Sequence, residues 1–101
     1  MSSPNRHVDL NSNTVSADLD GERVLLDISS GKYYGLNSLG SEIYELIDDH
    51  EDPVSIRQIV SSIQDRYPSV AIDRLEKDVV SFIDRMVELG LFSEGKVSEI
   101  Q

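Results

Sequence analysis

The sequence contains no cysteine and no tryptophan, and only two of its 101 residues are histidines. Without cysteine, the chain cannot form a disulfide, a thiolate nucleophile or a cysteine-ligated metal site. The histidines, His7 and His50, do not form a helical pair four residues apart, and no glycine-rich phosphate loop is present. No catalytic group stands out, and we expect a protein that is not an enzyme and that uses neither a metal nor a cofactor.

Basic residues are also scarce. Nine Lys and Arg residues stand against 19 Asp and Glu residues, which gives a formal net charge of -10. So acidic a surface repels the phosphate backbones that nucleic-acid-binding proteins must neutralise, and it favours a cationic partner such as a Lys-rich peptide. Solubility alone also explains such a charge, and both interpretations stand. We expect no nucleic-acid partner.

Long apolar runs are absent as well. Residues 1–13 are polar and contain no stretch that could serve as a signal peptide, and no later segment approaches the length of a transmembrane helix. We therefore expect a cytoplasmic protein without a membrane partner. A chain of 101 residues forms one domain, predicted over residues 14–92, with loose tails at 1–13 and 93–101.

Three short segments in the first part of the chain are predicted to be strands. Residues 14–19 and 22–28 alternate between apolar and polar, and Asp20-Gly21 between them is a preferred pair for a tight hairpin turn. A second turn leads to a third strand at residues 32–36. The pattern predicts a three-stranded antiparallel meander with one apolar face.

The alternation also predicts which side chains of the meander face the core. The expected inward set is Val15, Ala17, Leu19, Val24, Leu26 and Ile28. Only Leu25 breaks the pattern, because it falls on the opposite face.

The apolar period then changes from 2 to 3.6, which indicates helices. Asn37 or Ser38 can cap the first, Ser55 and Gln58 form a capping box for the second, and the third covers residues 71–89. The predicted fold is an α+β, winged-helix-like domain in which a three-stranded antiparallel sheet is followed by three helices.

The third predicted helix is apolar over a wider arc than a surface helix needs. One row contains Leu75, Val79, Phe82 and Met86, and a second row contains Val80, Ile83 and Val87. Either one row faces the core and the other a groove, or both rows are core.

A winged-helix DNA-binding regulator is one alternative, since the second and third helices resemble a helix-turn-helix in outline. However, residues 72–78 at the start of the third helix carry three carboxylates against two cations, which would repel DNA phosphates.

An interaction module fits the sequence better than a DNA-binding regulator. The third strand is the last of the meander, and an uncovered strand edge invites an extended peptide to pair with it. Gly35 would let another backbone approach closely. The edge could equally be solvated or lie in a dimer interface.

The run from Val24 to Asn37, which ends in Tyr-Tyr-Gly-Leu-Asn, resembles the PqqD-type signature. The later pattern agrees with it at Ile59-Val60, Leu75, Asp78-Val79, Phe82 and Leu89-Gly90-Leu91. The resemblance spans about Val15 to Phe92 and is closest to the stand-alone recognition proteins of lasso-peptide biosynthesis, a class of RiPP recognition element.

This resemblance implies a non-catalytic domain that binds the leader peptide of a precursor. The leader would add as an antiparallel strand on the third strand and pack against the third helix. The domain would present the precursor to a separate leader protease with which it associates, and a cyclase would close the ring. PqqD itself, which presents a different precursor to a radical enzyme in cofactor biosynthesis, offers an alternative.

The resemblance also implies a set of peptide-binding residues. On the edge strand they are Lys32, Tyr33, Tyr34, Gly35 and Leu36, of which Leu36 shares a face with Tyr34 and could be core. On the third helix they are Arg74, Leu75, Asp78, Val79 and Phe82.

Overall fold

The computed structural model describes residues 6–95, which form an α+β, winged-helix-like domain of three helices and two three-stranded antiparallel sheets. The strands are β1 (His7–Leu10), β2 (Thr14–Leu19), β3 (Glu22–Asp27), β4 (Lys32–Gly35), β5 (Val54–Ser55) and β6 (Phe92–Gly95). The helices are α1 (Ser38–Asp48), α2 (Ile56–Arg66) and α3 (Ile72–Glu88). The predicted fold class is confirmed, but the sequence did not predict the second sheet.

β2, β3 and β4 form the predicted meander, with β3 in the centre. At the β2–β3 turn, Asp20 and Gly21 have φ values of 56° and 84°. Two successive residues with positive φ are what a tight hairpin turn with the right twist requires, and an Asp-Gly pair adopts them readily. The β3–β4 turn closes where the N–H of Gly31 bonds to the carbonyl of Asp27 at 2.8 Å.

The second sheet has β1 in its centre, paired antiparallel with both β5 and β6. Val8 of β1 is completely buried. The guanidinium of Arg6 makes hydrogen bonds of 2.9 and 3.1 Å to the carboxylate of Glu94, and it lies 2.8 Å from Asp84 of α3. These contacts hold the two ends of the described chain against the helices.

The prediction of loose tails is therefore wrong where these strands form. Within the predicted tail of residues 1–13, residues 7–10 are a strand, and within that of residues 93–101, residues 93–95 belong to β6. The outermost residues of each predicted tail lie outside the described residues. β1 and β6 pair across almost the whole length of the chain, so local patterns in either segment do not reveal a strand.

Side chains fix the starts of the first two helices. The side-chain oxygen of Asn37 accepts a hydrogen bond from the N–H of Gly40 at 2.8 Å, and that of Ser55 accepts one from Gln58 at 3.0 Å. Each bond satisfies a backbone N–H that has no partner inside its helix. α3 ends before Gly90, whose φ of 80° is the left-handed conformation that glycine favours just after a helix.

One core joins the helices to both sheets. Its completely or almost completely buried side chains include Val8, Leu25, Ile43, Ile47, Ile56, Ile59, Ile63, Val79, Ile83, Leu91 and Phe92. From α3 the core takes Leu75, Val79, Ile83 and Met86, while Val80, Phe82 and Val87 are only partly buried. The buried residues of α3 therefore come from both of the rows that were predicted from the sequence.

The predicted faces of the β2–β3–β4 sheet are reversed. Leu25, which was expected to face outward, is completely buried, and its cross-strand partner Tyr34 packs against the core. Val15, Leu19 and Ile28, which were expected inward, are 43%, 57% and 58% exposed. Alternation reveals two faces but does not show which of them meets the helices, and here the more apolar face points away from them.

Candidate functional site

β4 has a free edge, since among residues 6–95 its only strand partner is β3. The N–H of Leu36 bonds to the carbonyl of Arg23 at 2.9 Å, and this bond fixes which residues of β4 direct their backbone groups toward β3. In an antiparallel pair, every second residue turns its N–H and C=O toward its partner. Tyr34 therefore bonds to β3, whereas Tyr33 and Gly35 turn their backbone groups toward the open edge.

The side chains of β4 divide between the two faces of the sheet. Tyr33 is 70% exposed on the face that points away from the helices, and Tyr34 is partly buried on the other. Leu36, directly after the strand, belongs to the core. Lys32 and Gly35 are exposed, and a Cβ atom at Gly35 would meet nothing within 4 Å. Neither crowding nor a positive φ in this chain requires glycine at position 35.

β2 forms the opposite edge of the same sheet, and the polar groups of its first residue already have hydrogen-bond partners. The N–H of Thr14 bonds to the carbonyl of Asn11 at 2.9 Å, and its hydroxyl donates to the carbonyl of Leu91 at 2.9 Å. β4 differs because it leads through Asn37 directly into α1, whose first turn lines a cleft.

That cleft has a volume of about 540 Å³ and lies between the first turn of α1, the end of α2 and the first turns of α3. Leu39, Ile63 and Leu75 supply apolar surface to its lining. Arg74 and Asp78 are exposed on α3 at the same cleft, with the guanidinium and carboxylate 4.0 Å apart. An ion pair so exposed contributes little to stability, so both groups are available to a ligand.

Tyr67, another residue of the cleft, is held by α1. Its hydroxyl donates a hydrogen bond of 2.6 Å to the carboxylate of Glu42, which also forms an ion pair with Arg66 at 2.9 Å. The hydrogen bond to ionised Glu42 raises the pKa of Tyr67, because loss of the phenolic proton would bring two negative charges together. The phenol thus stays neutral and ordered at the side of the cleft.

Phe82 lies on α3 one turn beyond Asp78 and packs where α1 begins. A Cβ atom at Gly40 would lie 2.8 Å from Cε1 of Phe82. The Phe82 ring also makes an edge-on contact with Phe92, with centroids 5.9 Å apart. Phe82 therefore packs between the first turn of α1 and Phe92, and it is partly embedded in the core.

The protein family described as Coenzyme PQQ synthesis protein D (PqqD) matches residues 22–91. The chain belongs to the PqqD family. The matched region contains β3, β4 and all three helices, and so it includes both the free edge and the cleft. The resemblance drawn from residues 24–37 is confirmed. No curated protein matches the chain.

Two solved structures share this PqqD-family fold. TbiB1 in complex with the TbiA(beta) leader peptide matches with a TM-score of 0.74 and 30% sequence identity, over 89% of this chain and 99% of that one. A lasso peptide synthetase B1 complexed with the leader peptide matches with a TM-score of 0.71 and 27% identity, over 84% of this chain and 95% of that one.

Several residues implicated from the PqqD resemblance lie at the free edge or the cleft. Lys32, Tyr33, Tyr34 and Gly35 form the edge strand, and Arg74, Leu75 and Asp78 line the cleft. Val79 does not fit a contact role, because it is completely buried and a peptide would reach it only if the core opened. Leu36 and Leu75 are 9% and 4% exposed, so each offers a ligand only a small part of its side chain.

The sequence did not point to the other six residues of the cleft, among them Leu39, Tyr67 and Val70. Tyr67 carried one usable signal, because a large aromatic residue directly before Pro68 must lie at a helix end.

A second cleft of similar size, about 550 Å³, lies between α2 and α3 and is lined by Ile56, Val60, Ile72 and neighbouring polar residues. No residue of α1 lines it, whereas Leu39, in the first turn of α1 after β4, lines the first cleft. Within residues 6–95, no three side chains of metal-binding type come together. No helix in this part of the chain is long and apolar enough to cross a membrane.

Proposed function

We propose that this protein binds the leader peptide of a precursor by strand addition to β4 and presents the precursor to a separate leader protease in lasso-peptide biosynthesis. The protein itself catalyses no step, and a cyclase closes the ring afterwards, all in the cytoplasm. The observation that carries the proposal is the free edge of β4, which leads directly into α1, whose first turn lines the cleft between α1, α2 and α3. In addition, the chain has the fold of two proteins that were solved with a leader peptide bound.

The backbone of the leader pairs with the open edge. The N–H and C=O groups of Tyr33 and Gly35 accept an antiparallel strand and supply affinity that depends little on the peptide sequence. The added strand becomes the fourth strand of the sheet. Glycine at position 35 leaves the surface beside the added strand clear.

The side chains of the leader supply specificity. Successive residues of a strand point to opposite faces, so alternate leader side chains turn toward the helices. An apolar one enters the cleft beside Leu39 and Leu75, with Arg74 and Asp78 at the exposed boundary. Because the chain carries a net charge of -10, the leader is expected to be basic overall.

The description of the matched family supports a second candidate, a peptide chaperone in the biosynthesis of the coenzyme PQQ. Strand addition to β4 would serve this role equally well. The two candidates differ in the peptide that binds, so the peptide is the variable to test.

The test is a calorimetric titration of the purified protein with the leader segment of the precursor encoded beside its gene. We expect saturable binding of one peptide per chain, and none of a scrambled peptide of the same composition. Binding of a PQQ precursor peptide instead would favour the second candidate. Absence of binding by both peptides would contradict the proposal.

The contribution of the strand edge can be isolated at Tyr33. Tyr33→Pro removes an N–H that points away from β3, so the β3–β4 ladder is kept. Tyr33→Ala removes the same aromatic side chain but retains the N–H. We expect the proline variant to bind the leader about tenfold more weakly than the alanine variant. Equal affinities would exclude pairing at this position.

A further inference from the structure

The free edge of β4 begins with a lysine that has no ionic partner among residues 6–95. The β2–β3–β4 sheet contains two basic residues, and one of them, Arg23, lies 2.9 Å from the carboxylate of Glu45. The other, Lys32, is exposed and forms no ion pair within the described part of the chain. No described carboxylate therefore neutralises the ammonium group of Lys32.

The residue opposite Lys32 is a carboxylate, but its oxygens are bound elsewhere. The register places Asp27 of β3 directly across from Lys32, and opposite charges in such positions normally pair. Instead, Oδ1 of Asp27 accepts a hydrogen bond from the N–H of Ser29 at 3.1 Å, and Oδ2 accepts one from the hydroxyl of Ser30 at 3.2 Å. These bonds hold the carboxylate at the β3–β4 turn and leave the ammonium group of Lys32 available to a ligand.

We propose that Lys32 sets the register of the leader on β4 by pairing with an Asp or Glu side chain of the leader. The inference rests on the proposed function, in which the leader adds to β4 as an antiparallel strand. The backbone groups of Tyr33 and Gly35 pair with almost any peptide sequence, so hydrogen bonds alone do not choose which leader residues lie opposite them. A charge pair at one position makes that choice.

The geometry of β4 favours close contact at this position. Lys32 turns its backbone groups away from the open edge, as Tyr34 does, and its N–H donates to the hydroxyl of Ser30 at 3.2 Å. A leader residue opposite Lys32 therefore belongs to a non-hydrogen-bonded pair. In such pairs the Cα atoms are about 4.5 Å apart, against about 5.5 Å in hydrogen-bonded pairs, and the side chains lie closer together.

Other registers would place the leader carboxylate in a less favourable position. Lys32, Tyr34 and Leu36 share the face that meets the helices, and the last two pack against or belong to the core. A slip of two residues would move the carboxylate beside the partly buried ring of Tyr34, where the loss of water is not compensated by an ammonium group. A slip of one residue would turn the carboxylate to the opposite face of the sheet.

The antiparallel direction converts this register into a sequence requirement for the leader. Because the leader runs opposite to β4, its acidic residue lies two positions C-terminal to the side chain that faces Tyr34 and four positions C-terminal to the one nearest Leu36. We expect apolar side chains at those two earlier positions, since they point toward the core. One acidic residue at a fixed position is compatible with a leader that is basic overall.

The test removes the charge on each side of the pair in turn. Lys32→Gln is compared with Lys77→Gln, which removes a lysine that is exposed on α3 and lines neither cleft. Both are titrated calorimetrically with the leader encoded beside the gene, and with leader variants in which each Asp or Glu is replaced singly by Asn or Gln. We expect Lys32→Gln to bind the unmodified leader about two- to fivefold more weakly than the parent protein. Lys77→Gln should match the parent, and Lys32→Arg should retain its affinity because it keeps the charge.

The leader variants identify the partner of Lys32. One of them should show the same loss of affinity with the parent protein and no further loss with Lys32→Gln, which is the signature of a direct pair. NMR of the complex then gives the register. The Hα atoms of a non-hydrogen-bonded pair lie close together, so we expect a nuclear Overhauser contact between Hα of Lys32 and Hα of the same leader residue.

The outcomes that refute the inference differ from those that refute the proposed function. Equal binding of the leader by Lys32→Gln and the parent would leave Lys32 with the ordinary role of an edge lysine, which discourages unwanted strand pairing. A leader that binds without any carboxylate, or an Hα contact between Lys32 and a different leader residue, would also refute the inference. In each of these cases the parent still binds the leader. Failure of the parent to bind would refute the proposed function and, with it, this inference.

Discussion

Gly40 and Phe82 are in direct contact, and their contact fixes how α3 lies against the start of α1. A Cβ atom on Gly40 would come within 2.8 Å of Cε1 and 3.1 Å of Cζ of the Phe82 ring. The ring cannot move freely, because Phe92 packs against it. Leu39, the neighbour of Gly40 in α1, lines the cleft, so the contact supports the geometry of the proposed binding site.

Gly40→Ala is expected to destabilise the protein. In an unobstructed helix, replacing glycine by alanine stabilises by about 1 kcal/mol. Here the added methyl group meets the ring, and we expect a net loss of about 1–2 kcal/mol in the free energy of unfolding, measured by urea denaturation. The double variant Gly40→Ala/Phe82→Leu should recover part of this loss, because a smaller side chain makes room. A more stable Gly40→Ala variant would contradict the packing.

Asp78→Asn is expected to weaken leader binding without affecting stability. The carboxylate is exposed at the cleft, and its contact with Arg74 is long at 4.0 Å. If the leader is basic, loss of this charge should reduce affinity by about two- to fivefold at low salt, and by less at high salt, in calorimetric titrations. Glu88→Gln removes one carboxylate from the far end of α3 and serves as the control. Equal effects of the two substitutions would show that only net charge matters.

The hydrogen bond between Tyr67 and Glu42 predicts that the phenol of Tyr67 loses its proton at a higher pH than usual. The bond raises the pKa of Tyr67 above the usual 10.0. Its contribution to stability is therefore complete below pH 10.0 and is lost as the pH rises through the folded-state pKa. Phenolate absorbance should show a late step that is absent in Tyr67→Phe and that moves to lower pH in Glu42→Gln. An unchanged titration curve in Glu42→Gln would contradict this assignment.

Local signals in the sequence predicted much of the fold. Asp20-Gly21 predicted the hairpin turn and Ser55 the start of α2, because each residue acts through its own backbone or near neighbours. The Tyr-Tyr-Gly-Leu-Asn run predicted the family and the edge strand in the same way.

Features that depend on distant segments escaped the sequence. Val8 is buried only because β1 pairs with β5 and β6, which come from residues far along the chain. Leu25 was assigned to the wrong face because the exposed side of its sheet is more apolar than the side that meets α1. Val79 was assigned to the peptide-binding set by the family resemblance, and spacing along the helix did not show that its neighbours bury it completely.

The cleft was also predicted only in part. Arg74 and Asp78 could be placed near it from the family resemblance, since both lie on the third helix. Leu39 and Val70 could not, because they reach the cleft through the packing of three separate helices. A residue whose contacts arise from such packing carries no sign of its role in its own sequence context.

The most direct test of strand addition is amide hydrogen exchange along β4, measured by NMR with and without saturating leader peptide. Strand addition predicts slower exchange at Tyr33 and Gly35, whose N–H groups face the open edge, and little change at Tyr34, whose N–H is directed to β3. Unchanged exchange at both Tyr33 and Gly35, under conditions where calorimetry shows the leader to be bound, would contradict the account.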